Sequence, residues 1–216
     1  MISLEEKEWA RRYINLLASE LVASEHELRI ILETAFKMAN KEAALAYIRL
    51  EVWKLIESET RAVASIAEEK HDTSLPIAFV SGYILNIKEN TEKKIRTYAV
   101  QFMKEAEGRS AIASFYKPKI DKDTLRVAKE VATLPITAKS SITNLKVLTS
   151  SIITDALNRS ELYLMSGKGA YGYIGVRMST YDCPVCDSLC GYIIPIDQQV
   201  FPAHPRCVCA MIPIYI

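Results

Sequence analysis

The chain has 216 residues, 50% of them hydrophobic and 25% charged, with Lys plus Arg numbering 27 against 26 Asp plus Glu. That composition supports a buried core of domain size, and a formal net charge of +1 gives no general attraction to nucleic acid or to an anionic membrane. No apolar run approaches the roughly 18 residues of a membrane span. The opening Met-Ile-Ser-Leu-Glu-Glu lacks the basic-then-apolar pattern of a secretory signal, so the five cysteines are expected in a reducing compartment, where they suit a metal better than disulfides.

No Gly or Pro occurs before Pro76, so the first third of the chain can be long helix. Ser3 followed by Glu6 reads as a capping box, after which Trp9, Tyr13, Leu17 and Leu21 recur every four residues along one face. The pattern resumes with Leu28, Ile31 and Ala35. Asn40 either interrupts this helix or caps a second one carrying Ile48, Val52, Leu55 and Ile56 to about Lys70. Helices this extended are expected to leave a surplus apolar face for another protein. Pro76 and Gly82 punctuate the next stretch, and Ile95, Tyr98, Ala99 and Phe102 give a third apolar face ending near Gly108. Lys117-Pro118 marks a loop, Asp121 or Asp123 can cap a short helix through Val131, and Pro135 breaks it. Ile142, Leu145, Leu148, Ile152, Ile153 and Leu157 form a last long helix ending before Gly167.

From Ala170 the period changes. Tyr171 to Val176, Tyr192 to Ile196 and Val208 to Ile216 are β-rich, five of the seven Gly lie between Gly167 and Gly191, and all five Cys lie between Cys183 and Cys209. The expected fold is α+β: a mainly α-helical body over 1–166 and a small C-terminal β-rich, zinc-binding knob over 167–216.

The chemistry lies in Cys183-Pro-Val-Cys186, followed after 17 intervening residues by His204-Pro-Arg-Cys207-Val-Cys209. A Cys-x-x-Cys turn presents two thiolates to one ion, and a second pair at this separation matches the spacing of zinc ribbons and knuckles. Cys183, Cys186, His204 and Cys207 are the best four ligands. Cys209 competes for the last place, because residues two apart in an extended segment face the same way, which would leave His204 behind the thiolates instead of on the metal. Cys190 is out of phase with this set and reads as a small buried hydrophobe.

Other chemistries fit less well. Cys-Pro-Val-Cys resembles a glutaredoxin dithiol, but only 30 residues follow Cys186, too few for the rest of that fold. A metallonuclease needs further His and acidic groups, whereas His26 and His71 fall in the helical body and read as ordinary surface histidines. Asp182, Asp187 and Asp197 suit turns better than catalysis. Gly167, Gly169, Gly172 and Gly175 match neither phosphate-cradling nor dinucleotide spacing.

The helix containing Ile152-Ile153-Thr154-Asp155-Ala156-Leu157-Asn158, a strand, then Asp182-Cys183-Pro184-Val185-Cys186-Asp187 and His204-Pro205-Arg206-Cys207-Val208-Cys209 running into the apolar Ala210 to Ile216 together resemble the Mu F-like head morphogenesis proteins. The resemblance covers roughly the last 75 residues, with Cys190 before Gly191 as a departure. It implies a structural minor capsid protein of a tailed bacteriophage or prophage, with no enzymatic activity and no small-molecule substrate. Its partners would be portal and capsid proteins, with packaged DNA as a further contact, and its place would be the virion head or portal vicinity, after the host cytoplasm during assembly. The zinc would be structural. The rival reading is a cellular zinc-knuckle adaptor or nucleic-acid-binding protein, which the balanced charge disfavours.

Overall fold

A computed structural model describes residues 4–107, 141–178, 182–204 and 207–215. Ser3 of the expected capping box and the expected short helix from Asp121 or Asp123 to Val131 lie outside the described residues. Four long helices come first: α1 (Leu4–Phe36), α2 (Lys41–His71), α3 (Ile77–Glu107) and α4 (Ser141–Gly167). They are followed by β1 (Gly172–Val176), a short α5 (Pro184–Leu189), β2 (Ile193–Pro195) and β3 (Ala210–Ile214). The fold is α+β, mostly helical with a small C-terminal sheet.

Asn40 resolves the choice left open by the sequence. The first helix has already ended at Phe36, and Asn40, with extended backbone, accepts the Ala43 N–H on Oδ1 at 3.0 Å, so it caps α2. At the other end of α2, Asp72 adopts a left-handed conformation (φ 43°), and the N–H of Thr73 returns to the Glu68 carbonyl. Pro76 lies immediately before α3, as expected of a residue that needs no amide partner there. Gly82 does not punctuate the chain: it sits within α3, where 31 residues of amphipathic pattern outweigh one unfavourable propensity.

The helices pack into a bundle through two apolar clusters. In the first, Leu28, Leu32 and Ala35 of α1 meet Ile48, Val52 and Ile56 of α2, Ile95, Ala99 and Phe102 of α3, and Leu145 of α4. In the second, Tyr13, Leu17 and Leu21 meet Val63 and Ala67 of α2 and Ile153, Leu157 and Leu164 of α4. Most of the apolar surface of α1 and α2 that looked surplus is thus spent on α3 and α4, although Ile30, Phe36 and Leu50 remain exposed.

α4 is buried on several sides, which its composition permits. Thr149, Ser150, Thr154 and Asn158 are buried yet hydrogen-bonded to carbonyls four positions earlier (2.8–2.9 Å), so their polar groups are satisfied within the helix. The Glu105 carboxylate accepts both the N–H and the hydroxyl of Ser141, placing negative charge at the N-terminus of α4.

Gly169 (φ 80°) reverses the chain after α4, and the Ala170 N–H returns to the Met165 carbonyl. The sheet order is β2-β1-β3, both pairings antiparallel, with Tyr173 opposite Ile194 and Pro213. Tyr173 is fully buried, and its hydroxyl donates to the Gln198 carbonyl at 2.7 Å while accepting from the Val200 N–H at 3.2 Å. Gly175 lies against the Phe201 ring, and any Cβ there would come within 2.5 Å of it.

The sheet is continuous with the bundle. Val208 and Ala210 join the second helical cluster, whereas Cys207, Cys209 and Met211 point into a third cluster with Tyr173, Ile194 and Phe201. Alternation along one extended segment therefore sends Val208 toward the helices and both neighbouring thiols toward the cysteine cluster.

Candidate metal centre

Two local structures bring the donors together. Cys183 is the N-cap of α5, with Pro184 opening the helix, and the Cys183 Sγ accepts the Cys186 N–H at 3.5 Å. This is the amide-to-sulfur contact that a Cys-x-x-Cys knuckle makes, and it turns both sulfurs to one side. The second half comes from the segment entering β3, where the Cys207 N–H bonds the His204 carbonyl at 3.1 Å.

His204 Nε2 lies 3.2 Å from the Cys183 sulfur and 3.1 Å from that of Cys186, and the sulfurs of Cys186 and Cys207 are 3.9 Å apart. Two sets of donor atoms lie within mutual reach of a metal ion, Cys183 with Cys186 and His204, and Cys186 with Cys207 and Cys209. All five residues expected from the sequence are thus assembled in one place, close enough to bind a metal ion. Cys183, Cys186, Cys207 and Cys209 are buried, and His204 is half-buried.

Cys190 differs from the sequence expectation. It is half-buried, and its sulfur sits 3.9 Å from that of Cys209, because α5 ends at Cys190 and the Gly191 N–H bonds the Gly175 carbonyl, pinning this turn to β1. Four residues after Cys186, Cys190 lies one helical turn along α5, and its N–H bonds the Cys186 carbonyl at 2.8 Å, so the helical period, not the extended one, carries both sulfurs to one face.

Burial and mutual proximity oppose ionisation of more than one of these thiols. A hydrogen bond from the Cys209 thiol holds Cys207 down to about 5. Cys209 is pushed far up by its role as donor to Cys207 and by burial, and Cys186 is pushed up by burial and then by the neighbouring negative charge of Cys207. Such a set carries little negative charge until a cation compensates it, which is the chemistry of a divalent metal among thiolates.

A second polar constellation, missed by the sequence reading, fastens this module to the bundle. His71 is buried, not on the surface; His26 is exposed, as expected. Lys70 Nζ meets the Glu161 carboxylate at 2.6 Å, donates to the Met211 carbonyl of β3 at 3.1 Å, and lies 4.7 Å from the centre of the Tyr13 ring. His71 Nε2 is 3.7 Å from the same carboxylate, and the Lys168 ammonium donates to the His71 carbonyl. Burial lowers the Lys70 pKa, an effect that Glu161 opposes, and burial together with the Glu161 charge raises that of Tyr13. The signal available in sequence was Glu161 itself, an acid at helical spacing from the apolar Leu157, Leu164 and Met165. Nearby, Asp155 accepts from Tyr83 at 2.7 Å, Arg159 at 2.8 Å and Gln199 at 2.8 Å, joining α3, α4 and the loop after β2.

Asp187 pairs with Arg177, while Asp182 and Asp197 are exposed. No helix among the described residues is long and apolar enough to cross a membrane. No protein-family model, curated protein or solved structure matches this chain.

Proposed function

We propose that the C-terminal module is built around structural zinc and that the protein is a non-catalytic assembly component whose helical bundle is braced by that module. One observation carries this reading: four thiols are buried together beside a histidine, at the separations shared ligands require. Zinc suits a donor set of thiolates and imidazole, and a catalytic zinc would need a position open to water and substrate, whereas each three-donor set here has a further thiol beside it to fill the fourth position. His204 and the cysteines would hold the ion, and the ion would supply charge compensation and a fixed crossing point between α5 and the segment entering β3.

The biological setting we infer is the head of a tailed bacteriophage or prophage, with this chain as a minor head protein associated with portal and capsid during assembly and DNA packaging or ejection. Support comes from the order of motifs. The helix containing Asp155, the strand β1, the Cys183–Cys186 knuckle and the His204-Pro-Arg-Cys207-Val-Cys209 segment running into β3 follow one another as in the Mu F-like head morphogenesis proteins they resemble. Mass spectrometry of heads purified from the phage or prophage that encodes the chain tests this. Peptides of this protein alongside those of the portal are expected. Heads lacking it, together with salt-sensitive DNA binding by the purified chain, would favour the nucleic-acid-binding alternative instead.

A further inference from the structure

Six soft donors, not four, converge at the end of the sheet. Cys186 belongs to both donor sets, and Cys190, outside each, touches Cys209 at 3.9 Å. A single tetrahedral ion held by Cys183, Cys186, His204 and Cys207 would leave Cys190 and Cys209 as idle thiols against it. Two tetrahedral ions need eight metal–donor bonds, and six donors supply eight when two thiolates each bridge both ions.

The donors form two triads that share Cys186, Cys183 with Cys186 and His204, and Cys186 with Cys207 and Cys209; each ion would draw in its fourth donor from beside its triad, Cys207 on one side and Cys190 on the other. Cys186 and Cys207 occupy the middle, 3.9 Å apart. Thiolates sharing one zinc at about 2.3 Å lie roughly 3.8 Å from each other, so this separation lets the pair share an ion, as bridging thiolates must. On one side stand Cys183 and His204, 3.2 Å apart; on the other stand Cys190 and Cys209, 3.9 Å apart. Backbone bonds fix the outer pair as firmly as the inner one: the Cys190 N–H bonds the Cys186 carbonyl at 2.8 Å, and the Gly191 N–H bonds the Gly175 carbonyl at 2.9 Å.

We propose that the module takes two zinc ions, one held by Cys183, His204, Cys186 and Cys207, the other by Cys190, Cys209, Cys186 and Cys207, with Cys186 and Cys207 bridging. The proposal rests on the metal-centre reading above and extends it to a second site completed by Cys190. Two dications against five thiolates and a neutral imidazole leave one net negative charge, close to neutrality for a cluster this buried.

The test is metal stoichiometry of the full chain, purified under reducing conditions, by native mass spectrometry with zinc alone and by 113Cd NMR after exchange with cadmium alone. Two ions per chain are expected, with two cadmium resonances, one from a four-sulfur site and one from a three-sulfur, one-nitrogen site. The Cys190→Ser chain is expected to lose the four-sulfur resonance. One ion and one resonance in the wild-type chain would overturn the bridged pair while leaving the metal centre standing. Absence of any bound ion would overturn both.

Discussion

Lys70 and Glu161 stand 91 positions apart in the chain and meet at 2.6 Å in the interior, where α2, α4 and β3 converge. The same ammonium reaches the Met211 carbonyl in the strand that follows Cys207 and Cys209, so this pair ties the helical bundle to the cysteine-bearing module. A buried pair of this kind gains little over an apolar substitute, but losing one partner strands the other without water.

Lys70→Met and Glu161→Leu are each accordingly expected to destabilise the chain by about 3–5 kcal/mol, because each leaves the other charge buried without its partner. The double variant Lys70→Met with Glu161→Leu should recover much of that loss. Denaturant unfolding of the three variants gives the coupling; additive losses would mean that the two groups act independently.

Removing metal should release the module before the helices. Val208 and Ala210 share a core with Leu17, Leu21 and Leu157, but the rest of the sheet packs around the cysteines. A strong chelator, or Cys183→Ser, is expected to open residues beyond Gly169 to protease. Far-UV circular dichroism should keep most of its helical signal, and Tm should fall as Val208 and Ala210 withdraw. Collapse of the helical signal together with the tail would contradict this order of events.

Glu59 of α2 is buried, hydrogen-bonded to Glu20 and near the charge of Glu27, and burial followed by these acids raises its pKa to about 7. Between the ordinary carboxyl value of 4.5 and about 7 the folded chain keeps a proton that the unfolded chain releases. Stability is therefore expected to fall as pH rises through that window. Glu59→Gln should flatten the fall and raise stability at pH 8 by on the order of 1–2 kcal/mol. Denaturant midpoints at pH 5 and pH 8 for both chains measure it, and an unchanged pH slope in the variant would assign the effect elsewhere.

The helical pattern and the donor set were both legible in the chain. Four-residue spacing from Tyr13 to Leu21 and the run from Ile142 to Leu157 mark faces that the bundle buries, and Cys183, Cys186, His204, Cys207 and Cys209 announce themselves by spacing. What spacing could not carry was long-range geometry. Cys190 comes near Cys209 because α5 carries it to the face of Cys186 and the bond from Gly191 to Gly175 pins that turn against β1. His71 is interior because α4 brings Glu161 beside it, and Asn40 and Gly82 are ordinary polar or flexible residues whose roles depend on which helices pack. Local periodicity reports which face is apolar; partners separated by ninety residues are set by how the faces assemble.

The most direct measurement is the zinc content of the full chain purified under reducing conditions, read together with protease resistance of the segment after Gly169. The account predicts at least one equivalent of zinc per chain, lost together with that resistance in Cys186→Ser. A metal-free chain whose C-terminal module is nonetheless folded and protease-resistant would contradict it.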